Sequence, residues 1–371
     1  MSLIVIQILP ALDAGGVERG TVEVAAGLVR AGHRAVVISA GGRLVQELKQ
    51  AGGEHIDLPI GTKSLLLLRC IPTLRRLFAE ADIVHVRSRF PAWLTWLAWR
   101  GMDKKNRPAL ITTVHGAYSV NRYSQIMTQG EKVIAVSDYI RDYVINNYPA
   151  TDPGKITVIH RGIDPSQYYR EFRPTDQWLQ DWQREYPQLQ DKFILTLPGR
   201  ITRLKGHEHF LKILSGLQDK GLNVHGLIVG GAHGSKQDYL ESLKKTAAAM
   251  AIDQSITFTG HRNDLREIMT ISNIVLCLSR QPEAFGRTAL ESLSLGTPVI
   301  AYDHGGTREI LQALLPEGLV ALADIDSLIN RVEQFYRQPP AVTAANPFLL
   351  EDMLKRTINC YEEMAQRRSQ T

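Results

Sequence analysis

Cysteine is scarce in this chain. Its three residues, Cys70, Cys277 and Cys360, are far apart, odd in number and without metal-ligand spacing. That excludes a disulfide framework and points to reduced thiols in a cytosolic protein. Long apolar runs are missing too, and none reaches the ~18 residues that span a bilayer. The first residues, Met1 to Gln7, carry no basic n-region and no small-residue cleavage site, so they read as a strand rather than a leader. No Gly-x-Ser-x-Gly elbow and no Cys/His pair suggests an acyl nucleophile. No Asp-x-Asp pair follows a strand where it would hold a divalent ion. The 11 His are scattered, and His207 and His209 lack a carboxylate at ligand spacing, so neither metal nor cofactor is expected. A dinucleotide fingerprint is absent as well. The first loop, Ala14-Gly15-Gly16-Val17-Glu18-Arg19, departs from Gly-x-Gly-x-x-Gly. The second strand ends Ile38-Ser39-Ala40 instead of in the acidic residue a ribose needs, which counts against an NAD-dependent dehydrogenase.

What is present is ordinary in bulk and ordered in pattern. A chain of 371 residues with 44% apolar and 22% charged content suits two or three soluble domains. Residues 1–165 hold 20 Lys+Arg against 14 Asp+Glu, and the remainder 23 against 24, so the excess of +5 lies in the first half. Such a surface suits anionic lipid or an acidic acceptor. No nucleic-acid partner is expected. Strand-like runs at 3–9, 35–39, 56–58, 83–86, 110–114, 133–136 and 156–159 alternate with helical patterns at 17–30, 65–78, 92–100 and 138–148. Residues 165–191 break the pattern as a polar, proline-bearing linker with a short helix. A second series follows, with strands at 193–197, 224–229, 256–259, 274–278, 299–302 and 319–322 and helices at 206–220, 237–250, 265–272, 288–295 and 326–337. The alternation predicts an α/β chain of two Rossmann-like, doubly wound domains facing across a cleft, 1–165 and 166–346. The segment 347–371 is an amphipathic helix expected to pack back on the first domain.

Glu283-Ala-Phe-Gly-Arg-Thr-Ala-Leu-Glu291 is the most informative stretch. The first carboxylate lies at a strand's carboxyl end and the second inside the following helix. Between them the N–H groups of Phe285, Gly286 and Arg287 point out of a helix N-terminus, a ready anion site. Carboxylates for hydroxyls beside donors for phosphate suit a nucleotide sugar. The stretch reads equally as a loop Glu and a first-turn Glu that offset the helix dipole. Arg200 and Lys205 sit on the turn after the first strand of the second domain, where they can neutralise a diphosphate. Gly15, Gly16, Gly199, Gly230 and Gly260 end strands or open loops where backbone can approach a ligand. His115, at the end of a strand in the first domain, faces the expected cleft.

Taken together, the chain resembles a GT-B retaining glycosyltransferase of family four, the glycosyl transferases group 1. The resemblance rests on Gly15-Gly16-x-Glu18, Ile134-Ala-Val-Ser137, Arg161-Gly-Ile-Asp164, Gly199-Arg200 with Lys205-Gly206, Val229-Gly230-Gly231, Thr259-Gly260-His261 and the Glu283-x7-Glu291 motif, in that order over nearly the whole chain. It implies catalytic roles for His115, Arg200, Lys205 and Glu283. His115 would lie beside the transferred sugar, Arg200 and Lys205 on the diphosphate, and Glu283 on sugar hydroxyls. Gly15, Gly16, Gly199, Gly230, Gly260, His261, Arg262, Phe285, Gly286, Arg287, Thr288 and Glu291 would bind the donor, with Glu291 on the ribose. The donor would be a UDP- or GDP-linked sugar and the acceptor a glycan or lipid-linked glycan. Many relatives have Asp where this chain has Gly116, and Asn where it has Arg161. Arg161 is therefore expected to read an acidic acceptor. The stretches His85 to Trp93 and Pro298 to Gly306 are similar to enzymes that build lipopolysaccharide cores. A GT-B epimerase and a non-catalytic nucleotide-sugar binder stay open as alternatives. Leu65 to Phe78 and Trp93, Trp96 and Trp99, interleaved with Lys63, Arg69, Arg75, Arg76, Arg87, Arg89 and Arg100, read either as sheet-covering helices or as a face for an anionic membrane surface, on the cytoplasmic side.

Overall fold

The computed structural model describes residues 2–369 apart from 14, 62, 63 and 233. The chain divides into two compact units, 1–162 with 350–371, and 163–349. In the first, strands β1 (Ile4–Ile8), β2 (Arg34–Ser39), β3 (Glu54–Asp57), β4 (Ile83–Val86), β5 (Ala109–Val114), β6 (Lys132–Ala135) and β7 (Ile156–Val158) form one sheet in the order β3-β2-β1-β4-β5-β6-β7. Every pairing is parallel. Helices α1 (Gly16–Arg30), α2 (Val45–Gln50), α3 (Ile71–Phe78), α4 (Arg89–Arg100), α5 (Arg122–Gln125) and α6 (Asp138–Asn147) connect them. In the second unit, β8 (Phe193–Pro198), β9 (Val224–Val229), β10 (Ile256–Gly260), β11 (Ile274–Cys277), β12 (Val299–Tyr302) and β13 (Leu319–Val320) are ordered β10-β9-β8-β11-β12-β13. Its helices are α7 (Asp176–Glu185), α8 (His207–Asp219), α9 (Gln237–Ala249), α10 (Leu265–Ile271), α11 (Arg287–Ser294), α12 (Gly305–Leu314) and α13 (Ile325–Arg337). The central strands of both sheets are buried on both faces, which explains their near-continuous apolar runs. Each reverses its order once, at β1/β4 and at β8/β11, and those points leave crevices at the strands' carboxyl ends.

Local chemistry sets the helix ends. Ser137, Thr175 and Asp324 cap α6, α7 and α13 by accepting the N–H of Ile140, Trp178 and Ser327. Ser137, the last residue of the Ile134-Ala-Val-Ser137 motif, therefore serves as a cap. The pattern at 65–78 predicts one helix, but the structure splits it into a 3-10 turn, Leu65–Cys70, and α3. Pro72 has no N–H to give and sits in the first turn of α3, where none is needed. Helix α12 went unread because the pair Gly305-Gly306 opens it.

The last helix, α14 (Leu350–Ser369), belongs to the first unit. Tyr361 is fully buried there, Leu354 packs on Gly27 of α1, and Arg368 pairs with Glu131 at 2.6 Å.

The basic and aromatic residues of α3 and α4 are divided between interior and surface. Arg87 is 2% exposed, and Trp99 donates its indole N–H to Pro108 O beneath the Arg107 guanidinium. Trp93 donates to Tyr123 O, Arg89 lies over the Tyr118 ring, and Arg75 donates to Ala98 O. The sheet-covering reading accounts for Arg87, which is buried, and for Arg89, which donates to Ser124 Oγ, whereas Arg75 stays exposed. Leu68, Arg69, Arg76, Leu97 and Arg100 remain exposed, with Arg100 over the Trp96 ring. Lys63 and the side chains of Leu65 and Leu66 lie outside the described residues. Among the described residues, no helix is long and apolar enough to cross a membrane.

Candidate active site

Beside the β8/β11 reversal, the loops after β8 and β9 touch backbone to backbone. Gly199 donates to Val229 O at 2.9 Å, and Ile201 donates to Gly231 O at 3.1 Å. A Cβ on Gly230 would stand 1.9 Å from Gly199 O. A short turn, Arg203–Lys205, then ends in Gly206, whose φ of 76° starts α8. A Cβ on Gly206 would fall 2.2 Å from Leu278 O, so only glycine lets this turn press on the end of β11. Arg280 locks the contact by donating to Leu204 O at 2.7 Å.

That clamp brings two charges together. Lys205 Nζ lies 2.5 Å from Glu283 Oε1, and Ser279 Oγ donates to the same oxygen at 2.5 Å. Burial pushes the Glu283 carboxyl up, but the Lys205 charge and hydrogen bond, helped by Ser279 and His304, more than reverse this and hold it below its ordinary value. Glu283 is thus an anion with its Oε1 committed to protein donors. Gly306 N–H donates to Glu283 O, and His304 Nε2 meets Ser279 O at 2.9 Å, so the loop before α12 forms a third wall.

Gly286, at φ 95°, begins α11 without a side-chain cap. Its first N–H groups have no intrahelical acceptor, which favours an anion there. Thr307 Oγ1 sits 2.5 Å from where a Cβ on Gly286 would be. One turn on, Glu291 accepts from Arg287 Nε at 2.8 Å and is mostly buried. Phe285 turns its ring into the core, edge-on to Phe348 at 5.7 Å.

In the first unit, Gly15 stands before α1 with φ 147°, and Gly16 opens the helix. The Glu18 carboxylate occupies the space beside Gly15, where a Cβ would come within 2.4 Å of Glu18 Oε2. His115 follows β5. Its Nδ1 lies 2.9 Å from Arg161 Nη2, and its buried Nε2 has no partner among the described residues. The Arg161 guanidinium rests on α1, where a Cβ on Gly20 would meet it at 2.3 Å, and reaches Met353 Sδ at 3.9 Å. His85 is held on both nitrogens, by Tyr361 OH and Thr113 Oγ1, each at 2.6 Å.

Residues 14–167 match the family described as Glycosyltransferase Family 4, and residues 180–346 match Glycosyl transferases group 1. A solved glycosyltransferase from Rickettsia africae ESF-5 is 30% identical, with 98% of each chain covered and a TM-score of 0.83. The chain belongs to the family-four glycosyltransferases of GT-B fold. This glycosyltransferase is also 27% identical over 284 residues to the D-inositol 3-phosphate glycosyltransferase of Gordonia bronchialis, covering 70% of this chain and 59% of that one. Anabaena Alr3699/HepE, solved in complex with UDP-glucose, shares the fold with a TM-score of 0.81 at 18% identity, over 97% of this chain and 100% of that one. Across three curated relatives the matched part is 62%, 52% and 59% of their own length.

The glycosyltransferase thus gathers some expected residues and disperses others. Lys205, Glu283 and the loops of Gly199 and Gly230 meet at one crevice, with the Gly286 turn, Arg287, Thr288 and Glu291 on its following helix. Arg200 is exposed on the same turn as Lys205. Gly260 takes φ 72° as the last residue of β10, and His261 beside it is exposed. The Arg262 side chain is bonded to Asp264 at 2.7 Å and Glu185 at 3.1 Å. Arg161, expected at an acidic acceptor, has its Nη2 on His115 Nδ1. Ser279, His304 and Thr307 were not foreseen. The Ser279-x3-Glu283 spacing was a readable signal for the first, whereas the others depend on how two loops pack.

Proposed function

We propose that this glycosyltransferase moves a hexose from a nucleotide-diphosphate sugar to a glycan or lipid-linked acceptor, with retention and without a metal ion. The observation that carries the reading is the Lys205–Glu283–Ser279 cluster at the β8/β11 crevice, beside the uncapped start of α11. Departure of a nucleoside diphosphate builds negative charge, and fixed cations and N–H donors at that place lower the barrier. Lys205 and Arg200 supply the cations and the Gly286 turn supplies the N–H groups. Glu283, anionic and fixed through Oε1, keeps its second oxygen for a sugar hydroxyl. Glu291 takes the ribose hydroxyls. Neither carboxylate is then left as a nucleophile, so attack comes from the face the diphosphate leaves, and the leaving phosphate takes the acceptor's proton. The second unit holds the donor and the first the acceptor.

Anabaena Alr3699/HepE, of the same fold, was solved in complex with UDP-glucose, which makes UDP-sugars the first donors to try. The acceptor we favour is a lipid-linked surface glycan, met at the cytoplasmic membrane face by Leu68, Arg69, Arg76, Leu97 and Arg100. Incubation with UDP- and GDP-sugars and lipid-linked acceptors in excess EDTA tests the reading. We expect transfer with an unchanged anomeric configuration. An epimerised free donor, an inverted product, or activity only with added Mg²⁺ or Mn²⁺ would overturn the corresponding part. Sedimentation with anionic vesicles at low salt should be lost in Arg69/Arg76/Arg100→Glu; equal partitioning of both proteins removes the membrane role.

A further inference from the structure

We propose that Arg161 is a positioning residue that fixes His115 as a neutral hydrogen-bond donor through Nε2, held for an oxygen of the substrate. The proposal rests on the reading that His115 lies beside the transferred sugar. A guanidinium has only donors. With Arg161 Nη2 at 2.9 Å, His115 Nδ1 is the acceptor and carries no proton. The single ring proton of the neutral imidazole then belongs to Nε2. That Nε2 is buried and meets no acceptor among the described residues. A buried donor that no described protein group satisfies is available to an acceptor that arrives with the substrate.

The surroundings oppose any second proton on the ring. Arg161 faces it from the segment after β7, Arg87 and His85 from β4 and the loop beyond it, and Tyr118 from its own loop through a bond to the His115 N–H. Tyr361 of α14 bonds to His85, and Glu23 of α1 tempers Arg87 without reversing the balance. Burial, then Arg161, Arg87 and His85, push the imidazole well below its ordinary value. His115 is therefore no proton shuttle near neutral pH. The seat of Arg161 is itself built, since Gly20 leaves room for the guanidinium and Met353 backs it.

The test is nitrogen-15 NMR of histidine-labelled protein, with the His115 signal assigned by its loss in His115→Gln. Wild type should show an Nε2–H tautomer that stays neutral well below the ordinary imidazole range. An Nδ1–H tautomer, or protonation near the ordinary value of about 6.5, would overturn the proposal without any variant of Arg161. In Arg161→Ala we expect a mixed tautomer, titration nearer the ordinary value, and a kcat about tenfold lower at an unchanged KM. Arg161→Lys, which keeps a cationic donor, should recover part of both. The double variant should be no slower than His115→Gln alone. Normal kcat in Arg161→Ala beside a slowed His115→Gln would sink the proposal alone. Normal kcat in His115→Gln would sink both the proposal and the reading beneath it.

Discussion

Lys205 is asked to do two things, and its removal separates them. Lys205→Ala should lower kcat by more than about tenfold through loss of charge at the leaving group, and Arg200→Ala should do likewise. Only Lys205→Ala should also move the acid limb of the pH–rate profile upward, because Glu283 loses the cation that holds its carboxyl low. The sign follows from the direction: a carboxyl depressed by a cation protonates at higher pH once the cation is gone. An unmoved limb would mean that Glu283 does not need Lys205. A second contrast concerns the two carboxylates. Glu291→Ala should weaken UDP as well as the sugar donor in calorimetry, whereas Glu283→Ala should leave UDP binding nearly intact and damage transfer. Equal loss of UDP affinity in both would refute that division. At this scale the sequence was half legible. Spacing placed Glu283 and Lys205 at strand ends, because strand-helix alternation puts such residues at crevices. Spacing did not show that Arg161 would turn onto His115, since that depends on the hollow left by Gly20 on another helix.

Among elements, the turn from β11 into α11 depends most on a single residue. Gly286 combines a left-handed φ of 95° with a Cβ position 2.5 Å from Thr307 Oγ1. Gly286→Ala should cost about 1–3 kcal/mol, from strained backbone and from the side chain that must give way. Thermal melting should show a clear drop, and UDP affinity should fall with it, because the same turn presents the helix start. Unchanged melting would show that the loop before α12 yields easily. Strands were the easiest elements to read, since burial on both faces leaves long apolar runs. The break at Pro72 and the start of α12 at Gly305 were harder, because each residue type signals a stop in one context and a start in another.

For the whole molecule, acid sensitivity follows from histidines buried in the neutral form. Burial carries His207 and His225 down to about 4, and holds His85 and His115 well below their ordinary value. Unfolded, each binds a proton near pH 6.5. Between the two values the unfolded chain holds more protons, so stability rises with pH. The contribution is complete above about pH 6.5 and is lost as pH falls toward 4. Denaturant midpoints should drop between pH 7 and pH 5, and His225→Gln, which keeps a partner for Thr257, should flatten that slope. A slope unchanged by the substitution would assign the loss to carboxylates instead.

The placement of α14 has a consequence for the order in which the protein matures. Domains emerging from the ribosome tend to fold from the N-terminus onward. Here the sheet made first lacks its Tyr361 plug until the other unit, 163–349, has been synthesised in full. The earlier-made half therefore waits with an open flank of Gly27, His85 and Arg87, while the later-made half is complete and free to fold. A nascent chain arrested after Leu349 should show protease resistance confined to 163–349. Equal protection of 1–162 at that length would show that the first sheet closes without its last helix.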